Sequence, residues 1–167
     1  MSCNITAGFS LDCRDSQGGV EYIYIGNTAS TGFTATDGLI TAITGLTASN
    51  FFKFEVPKQT SSFTETITVS EENGTVFYDQ QVSVVFTKLS AEKRNQIALL
   101  AKNRKLVVVL KDGNGTFWSV GIGRGAHLLS GTSATGQAYG DLNGYSLVIQ
   151  GLEKDPSYAV SASVVGE

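Results

Sequence analysis

The chain has 167 residues, of which 41% are hydrophobic and 16% charged, with a formal net charge of −3 and a pI ≈ 5.1. That size and balance suit a single globular domain over residues 1–167, with a sizeable core and a short N-terminal arm. The acidic balance excludes a domain built to hold nucleic acid by its phosphates, though not one that lets nucleic acid pass. No run of roughly twenty apolar residues is available to span a bilayer. The opening Met-Ser-Cys-Asn-Ile-Thr also lacks the basic-then-apolar order of a signal peptide, so the expected setting is a cytoplasm with no membrane. Cys3 and Cys13 read there as reduced thiols, and without a nearby histidine they do not complete a zinc site.

In chain order, residues 2–19 show no helical period and predict an arm or short strand closed by a turn at Ser16-Gln17-Gly18-Gly19. Val20 to Ile25 is apolar at nearly every position, which predicts a strand covered on both sides. Gly26 to Gly38 reads as a small-residue loop, Leu39 to Ile43 as a short strand, and Phe51 to Val56 as the next strand. Pro57 then marks a kink or an edge, because proline donates no ladder hydrogen bond.

The centre of the chain is a long hairpin over Phe63 to Phe86, turning at Glu71-Glu72-Asn73-Gly74. Asn-Gly between alternating runs predicts a two-residue type I′ turn, since both residues tolerate positive φ. That turn sets Val69 opposite Tyr78, Ile67 opposite Gln80, Glu65 opposite Val82 and Phe63 opposite Val84, giving one largely apolar face and one lined by threonine and serine. Glu65 and Gln80 interrupt the apolar face on diagonal positions. They read as a hydrogen-bonded pair near a sheet end, or as the point where this face leaves the core and meets another chain.

Ser90 predicts an N-cap for a helix over Ala91 to Asn103, with Ile97, Leu100 and Ala101 on one stripe and Lys102, Arg104 and Lys105 closing it. Leu106 to Leu110 reads as a buried strand, Asp112 to Gly115 as a turn, and Thr116 to Val120 as the return strand. Gly121 to Gly140 is rich in glycine, serine and threonine and reads as a long irregular loop holding His127. Gly144 to Ile149 and Tyr158 to Val164 are the closing strands, parted by a turn at Asp155-Pro156. The predicted fold is mainly β: a β-sandwich or partly open barrel with a long central hairpin and one flanking α-helix.

The chemistry-bearing residues point away from catalysis. His127 is the lone histidine, and no Gly-x-Ser-x-Gly elbow accompanies it. Asp112-Gly113-Asn114-Gly115-Thr116 begins like a calcium loop, but its twelfth position is Gly123 where a glutamate is required, so it predicts a hairpin turn. Gly121-Ile122-Gly123-Arg124-Gly125 has the glycines of a phosphate cradle but opens no helix, which makes a twisted strand end the better reading. Phe51, Phe52, Phe54, Phe77 and Trp118 are expected chiefly in packing, with stacking on bases or sugars as the competing use. No cofactor or metal is expected.

The order of elements, the hairpin with Asn73-Gly74-Thr75, Gln81 and Phe86, and the run Asp141-Leu142-Asn143-Gly144-Tyr145 leading to Gly151-Leu152-Glu153 resemble the tail-tube protein family of tailed bacteriophages. They also resemble small virion proteins of phages infecting Bacteroidetes-type hosts. The resemblance implies a virion structural protein, made in the host bacterial cytoplasm, whose copies form stacked rings, with hexamers expected. Such rings would enclose a channel through which DNA passes unbound and would contact other virion tail proteins. The hairpin tip (Glu71, Glu72, Asn73, Gly74) is then expected to meet a basic group of the next copy, Lys102, Arg104 or Lys105. A head-tail connector, neck or capsid-decoration protein, and a carbohydrate-binding sandwich, are the alternatives.

Overall fold

The structure, a computed structural model, describes residues 3–27 and 32–167. Its strands are β1 (Val20–Gly26), β2 (Gly32–Thr36), β3 (Leu39–Thr44), β4 (Phe51–Glu55), β5 (Ser62–Ser70), β6 (Thr75–Thr87), β7 (Val107–Asp112), β8 (Phe117–Val120), β9 (Ala126–Ala134), β10 (Gly144–Glu153) and β11 (Ala159–Val160). Helix α1 (Ala91–Lys102) follows the hairpin, and a short α2 (Ala162–Val165) follows β11. The strands form a seven-stranded sheet in the order β2-β3-β11-β8-β7-β1-β4 and a four-stranded sheet in the order β5-β6-β10-β9. Neither sheet closes into a barrel, so the predicted mainly-β fold takes its sandwich form.

Alternation explains the layering. Ile23 and Ile25 of β1, Val108 and Leu110 of β7 and Val120 of β8 project from one face of the large sheet. They meet Val82 and Val84 of β6 and Tyr145, Leu147 and Ile149 of β10 in one buried cluster. The opposite face of the large sheet is buried too: Tyr24, Val107, Val109, Phe51 and Phe117 share a second cluster with Ile40 and Ile43 of β3 and with Val164 and Val165 of α2. Burial on both sides is why β1 and β7 read as near-continuous apolar runs.

Several predicted elements are corrected. Gly26 to Gly38 is not one loop, because β2 occupies Gly32–Thr36; residues 28–31 lie outside the described residues. β2 turns into β3 through Asp37 and Gly38, both at positive φ (51° and 79°), with Thr36 opposite Leu39. That is the two-residue geometry expected of an Asp-Gly hairpin turn. The Gly121 to Gly140 segment contains the nine-residue strand β9, which pairs with β10 along the margin of the small sheet. The predicted strand from Tyr158 to Val164 is only Ala159–Val160, after which Ser161 leads into α2.

The helix begins where expected, with the Ser90 hydroxyl accepting the Lys93 N–H at 3.3 Å. Its buried stripe is narrower than predicted: Leu100 is buried, Ile97 half-buried, and Ala101 exposed. Lys93 and Gln96 are exposed as expected.

On the outer side of the large sheet, Glu167 gathers three partners. Its carboxylate lies 2.5 Å from Lys53 Nζ and 3.3 Å from Lys111 Nζ, and it accepts the Tyr24 hydroxyl at 2.5 Å. Lys53 Nζ also sits 4.0 Å over the Tyr22 ring. The Lys53 ammonium, then the Tyr24 hydroxyl, hold the Glu167 carboxyl down at about 2, while burial and the bond to Glu167 push the Tyr24 hydroxyl up to about 12.

Two outcomes follow from this packing. Leu100→Ala should cost about 2–5 kcal/mol in urea unfolding, as for other buried leucines that leave a cavity. Because folding lowers the Glu167 pKa, its contribution is complete above the ordinary value of 4.5 and is lost as pH falls toward 2. Melting curves of wild type and Glu167→Gln should therefore differ at neutral pH and converge in that acid window.

Candidate functional site

The hairpin of β5 and β6 is bonded at both ends of its register to a turn of four residues. Ser70 pairs with Thr75, and the Gly74 N–H donates to the Glu71 carbonyl at 3.4 Å. Gly74 alone in the turn has positive φ (61°), while the Asn73 N–H and side-chain amide both donate to Ser70 Oγ. The predicted type I′ turn at Asn73-Gly74 is thus replaced by a four-residue loop of the type I kind. Pairing shifts by two: Val69 faces Val76 rather than Tyr78, Ile67 faces Tyr78, Glu65 faces Gln80, and Phe63 faces Val82. A shift of two leaves each side chain on its predicted face, since the strand period is two.

The shift has a consequence at the polar interruption. Glu65 and Gln80, now directly opposed, bond through Gln80 Nε2 donating to Glu65 Oε2 at 3.0 Å. The same carboxylate oxygen accepts the Ser157 N–H at 2.7 Å, and Gln80 Oε1 accepts the Gly121 N–H at 3.2 Å. Gln80 is 2% exposed, so the pair rivets the hairpin to the loops before β9 and β11. Beyond it the apolar face leaves the core: Ile67, Val69 and Val76 are 60%, 65% and 49% exposed. Past Tyr78, the last partner of β10, the two strands pair only with each other.

The predicted tip residues Glu71, Glu72, Asn73 and Gly74 all lie exposed at the end of this arm. Lys102, exposed, ends α1, and Arg104 and Lys105 are exposed on the way into β7. Within one chain the two sets are not joined: the ion pairs among the described residues are Lys53–Glu167, Lys111–Glu167 and Lys154–Asp155.

A second surface extends the polar hairpin face expected from the sequence across β10 and β9. The face of the small sheet turned away from the core carries Thr64, Thr66, Gln81, Ser83, Ser146 and Gln150, with Asp79 accepting both amide side chains, Gln81 at 3.0 Å and Gln150 at 2.8 Å. None of the chain's 12 lysines and arginines falls in β5, β6, β9 or β10. Among the described residues the outer margin of β5 is unpaired, and that of β9 is unpaired past Ala126, which exchanges two backbone bonds with Leu106 at 2.8 and 2.7 Å. The signal was present as four strands free of cationic residues, and became readable only once pairing showed that they share one sheet.

The remaining chemical candidates are absorbed by structure. His127 lies on β9 opposite Gln150, on the same open face, rather than in a loop. Asp112 accepts the Asn114 and Thr116 N–H groups at 2.9 Å each and the Trp118 indole N–H at 3.0 Å, so the would-be calcium ligand shapes its own hairpin turn. The Gly121 to Gly125 segment does cradle an anion, an internal one: the buried Glu153 carboxylate accepts the Gly123 N–H at 3.1 Å and the Arg124 N–H at 2.7 Å. A Cβ at Gly123 would stand 2.7 Å from Glu153 Oε2, which explains the glycine. The Asp141 to Tyr145 run also serves packing. The Asp141 carboxylate accepts the Gln137 and Ala138 N–H groups, which lowers its pKa, and a Cβ at Gly144 would strike the Phe86 carbonyl at 2.1 Å.

No family model matches the chain, and no curated protein is significantly similar to it.

If the Glu65–Gln80 rivet sets the hairpin's angle, Glu65→Ala should cost about 1–3 kcal/mol by leaving buried donors unpaired. Hydrogen exchange at the Ser157 amide should then speed up well before exchange in β7.

Proposed function

We propose that this chain is a virion structural protein of a tailed phage, a tail-tube protein whose copies assemble into stacked hexameric rings around a DNA channel. The observation that carries the reading is the open face of the small sheet, free of lysine and arginine, between the margin of β5 and that of β9 past Ala126, both unpaired among the described residues. A wall for passing DNA must not collect phosphates. Each lysine or arginine that neutralises one releases counterions and adds salt-dependent affinity, with a slope of about −0.9 per contact in log K against log salt. A face of threonine, serine and glutamine around a single aspartate, with Val85, Val148, Leu152, Phe77 and His127 among them, carries no lysine or arginine for a phosphate to pair with. The unpaired margins supply the other requirement, since strand edges on opposite sides of one sheet allow head-to-tail pairing that closes into a ring.

The projecting hairpin supports self-association independently. Its exposed Ile67, Val69 and Val76 lie beyond the reach of the chain's own core, and its acidic tip suits a basic group of a neighbour, with Lys102, Arg104 and Lys105 as candidates. A connector, neck or decoration role would use the same surfaces without indefinite stacking. A carbohydrate-binding module would instead need aromatics on an open face, where this sheet offers only Phe77.

Negative-stain microscopy of the purified chain should show rings or tubes with a central bore; single rings that never stack would favour the connector reading, and a monomer that shifts with glycans the carbohydrate one. Replacing Glu71 and Glu72 together with lysine should impair assembly more at low salt than near 1 M, where screening removes most exposed electrostatics. Unchanged sedimentation at both salts would remove the tip from the interface. Ser83→Lys with Gln150→Lys should leave assembly intact and give the tubes DNA affinity that fades steeply with salt.

A further inference from the structure

Residues 3–14 form an arm outside the strands and helices, whose Ile5, Phe9 and Leu11 are 92%, 103% and 102% exposed. Its sequence alternates without a break: Cys3, Ile5, Ala7, Phe9, Leu11 and Cys13 on one side, Asn4, Thr6, Gly8, Ser10, Asp12 and Arg14 on the other. That is the pattern of a half-buried strand, present in a segment that lacks a sheet.

Elsewhere the molecule has a slot of matching form. β4 ends the large sheet, and its outer margin is unpaired among the described residues. Between that margin and α1 runs a groove whose two overlapping halves measure about 630 and 490 Å³. Phe52 and Phe54 line one wall, opposite Ile25 and Ile23 of β1 in register and so on the core-facing side of the sheet. Gln96, Ile97, Leu99 and Leu100 line the other, and both Phe52 and Leu99 are left exposed. A peptide laid beside β4 would take main-chain bonds from the strand while every second side chain dropped against the helix, which is recognition by strand addition.

We propose that the arm of one copy adds as a strand beside β4 of another, with Ile5, Phe9 and Leu11 seated between β4 and α1. A segment from Ile5 to Leu11 spans about 23 Å at roughly 3.3 Å per residue, enough to run the length of five-residue β4 and reach past both ends. A neighbour's groove is the one proposed because none of residues 3–14 lines the groove of its own chain, and the arm's base is held elsewhere. The Gln17 N–H donates to Asn114 Oδ1 at 2.7 Å, and the Gly113 N–H donates to the Gly19 carbonyl at 3.0 Å. Those bonds hold the arm's base against the β7–β8 turn, on the side of β1 away from β4. The inference shares with the tube reading only the association of copies, and needs nothing of the channel.

The test is disulfide trapping between full-length chains. One carries Leu99→Cys with Cys3→Ser and Cys13→Ser; the other is isotopically labelled and keeps both arm cysteines, which are exposed and unbonded. Mild oxidation should give a mixed-label dimer at least tenfold above a control with the cysteine at Lys154→Cys. Phe9→Asp with Leu11→Asp in the labelled chain should cut that yield at least tenfold. A yield no higher than the control, or a bond from Leu99→Cys to the arm of its own chain when all three cysteines are present, overturns the proposal. Microscopy of the same samples separates the two readings: rings without the trapped dimer sink the arm's seating alone, and a trapped dimer without rings sinks the tube alone.

Discussion

The bond between Glu65 and Gln80 marks where the interior of this protein ends along its longest hairpin. On the near side, Phe63, Val82 and Val84 pack against the large sheet; on the far side, Ile67, Val69 and Val76 have no such neighbour. A buried glutamine is tolerated there because both its polar atoms are engaged, its amide nitrogen by Glu65 and its carbonyl oxygen by the Gly121 backbone. The carboxylate in turn fixes Ser157, which bonds onward through its hydroxyl to the Ser119 carbonyl at 2.8 Å. The hairpin's outer half is thus held at a fixed angle by polar contacts at its base, and its apolar surface is presented outward without being flexible at the root.

The same economy recurs at the site resembling a phosphate cradle. Positive φ at Gly121 (69°) and Gly125 (91°) bends the chain so that successive N–H groups converge, the arrangement that holds anions in general. Here the anion is Glu153, at the end of β10 and opposite Tyr78. The bend therefore ties the small sheet to the loop feeding β9, and the motif's anion-binding capacity is spent inside the fold.

The two sheets, the central hairpin, the helix and its Ser90 cap were legible in the sequence because alternation and capping are local signals. The hairpin's faces were legible and its exact pairing was not. Asn73-Gly74 suggested a two-residue turn, yet Ser70 captures Asn73 and lengthens the loop, while Asp37-Gly38 makes the two-residue turn within a stretch read as a loop. β9 was missed because an edge strand with one face open and little apolar content resembles a loop, and the end of the chain because Val164 and Val165 serve a helix rather than a strand. The tip residues were picked out correctly as exposed, but the cation-free face could not be seen until β9 was known to lie beside β10. Its lack of lysine is dispersed over four separated segments, and only their pairing makes it a surface.

The margins of the small sheet carry a liability of their own. Strands at sheet edges are commonly protected by lysine, proline or a bulge that spoils further pairing. β5 reads Ser-Phe-Thr-Glu-Thr-Ile-Thr-Val-Ser, with no lysine or proline and one inward-pointing charge, Glu65, as its guard. An exposed edge of this length is a template for cross-β growth. Glu65 within the strand and Glu71 and Glu72 at its tip are the charges that oppose such growth.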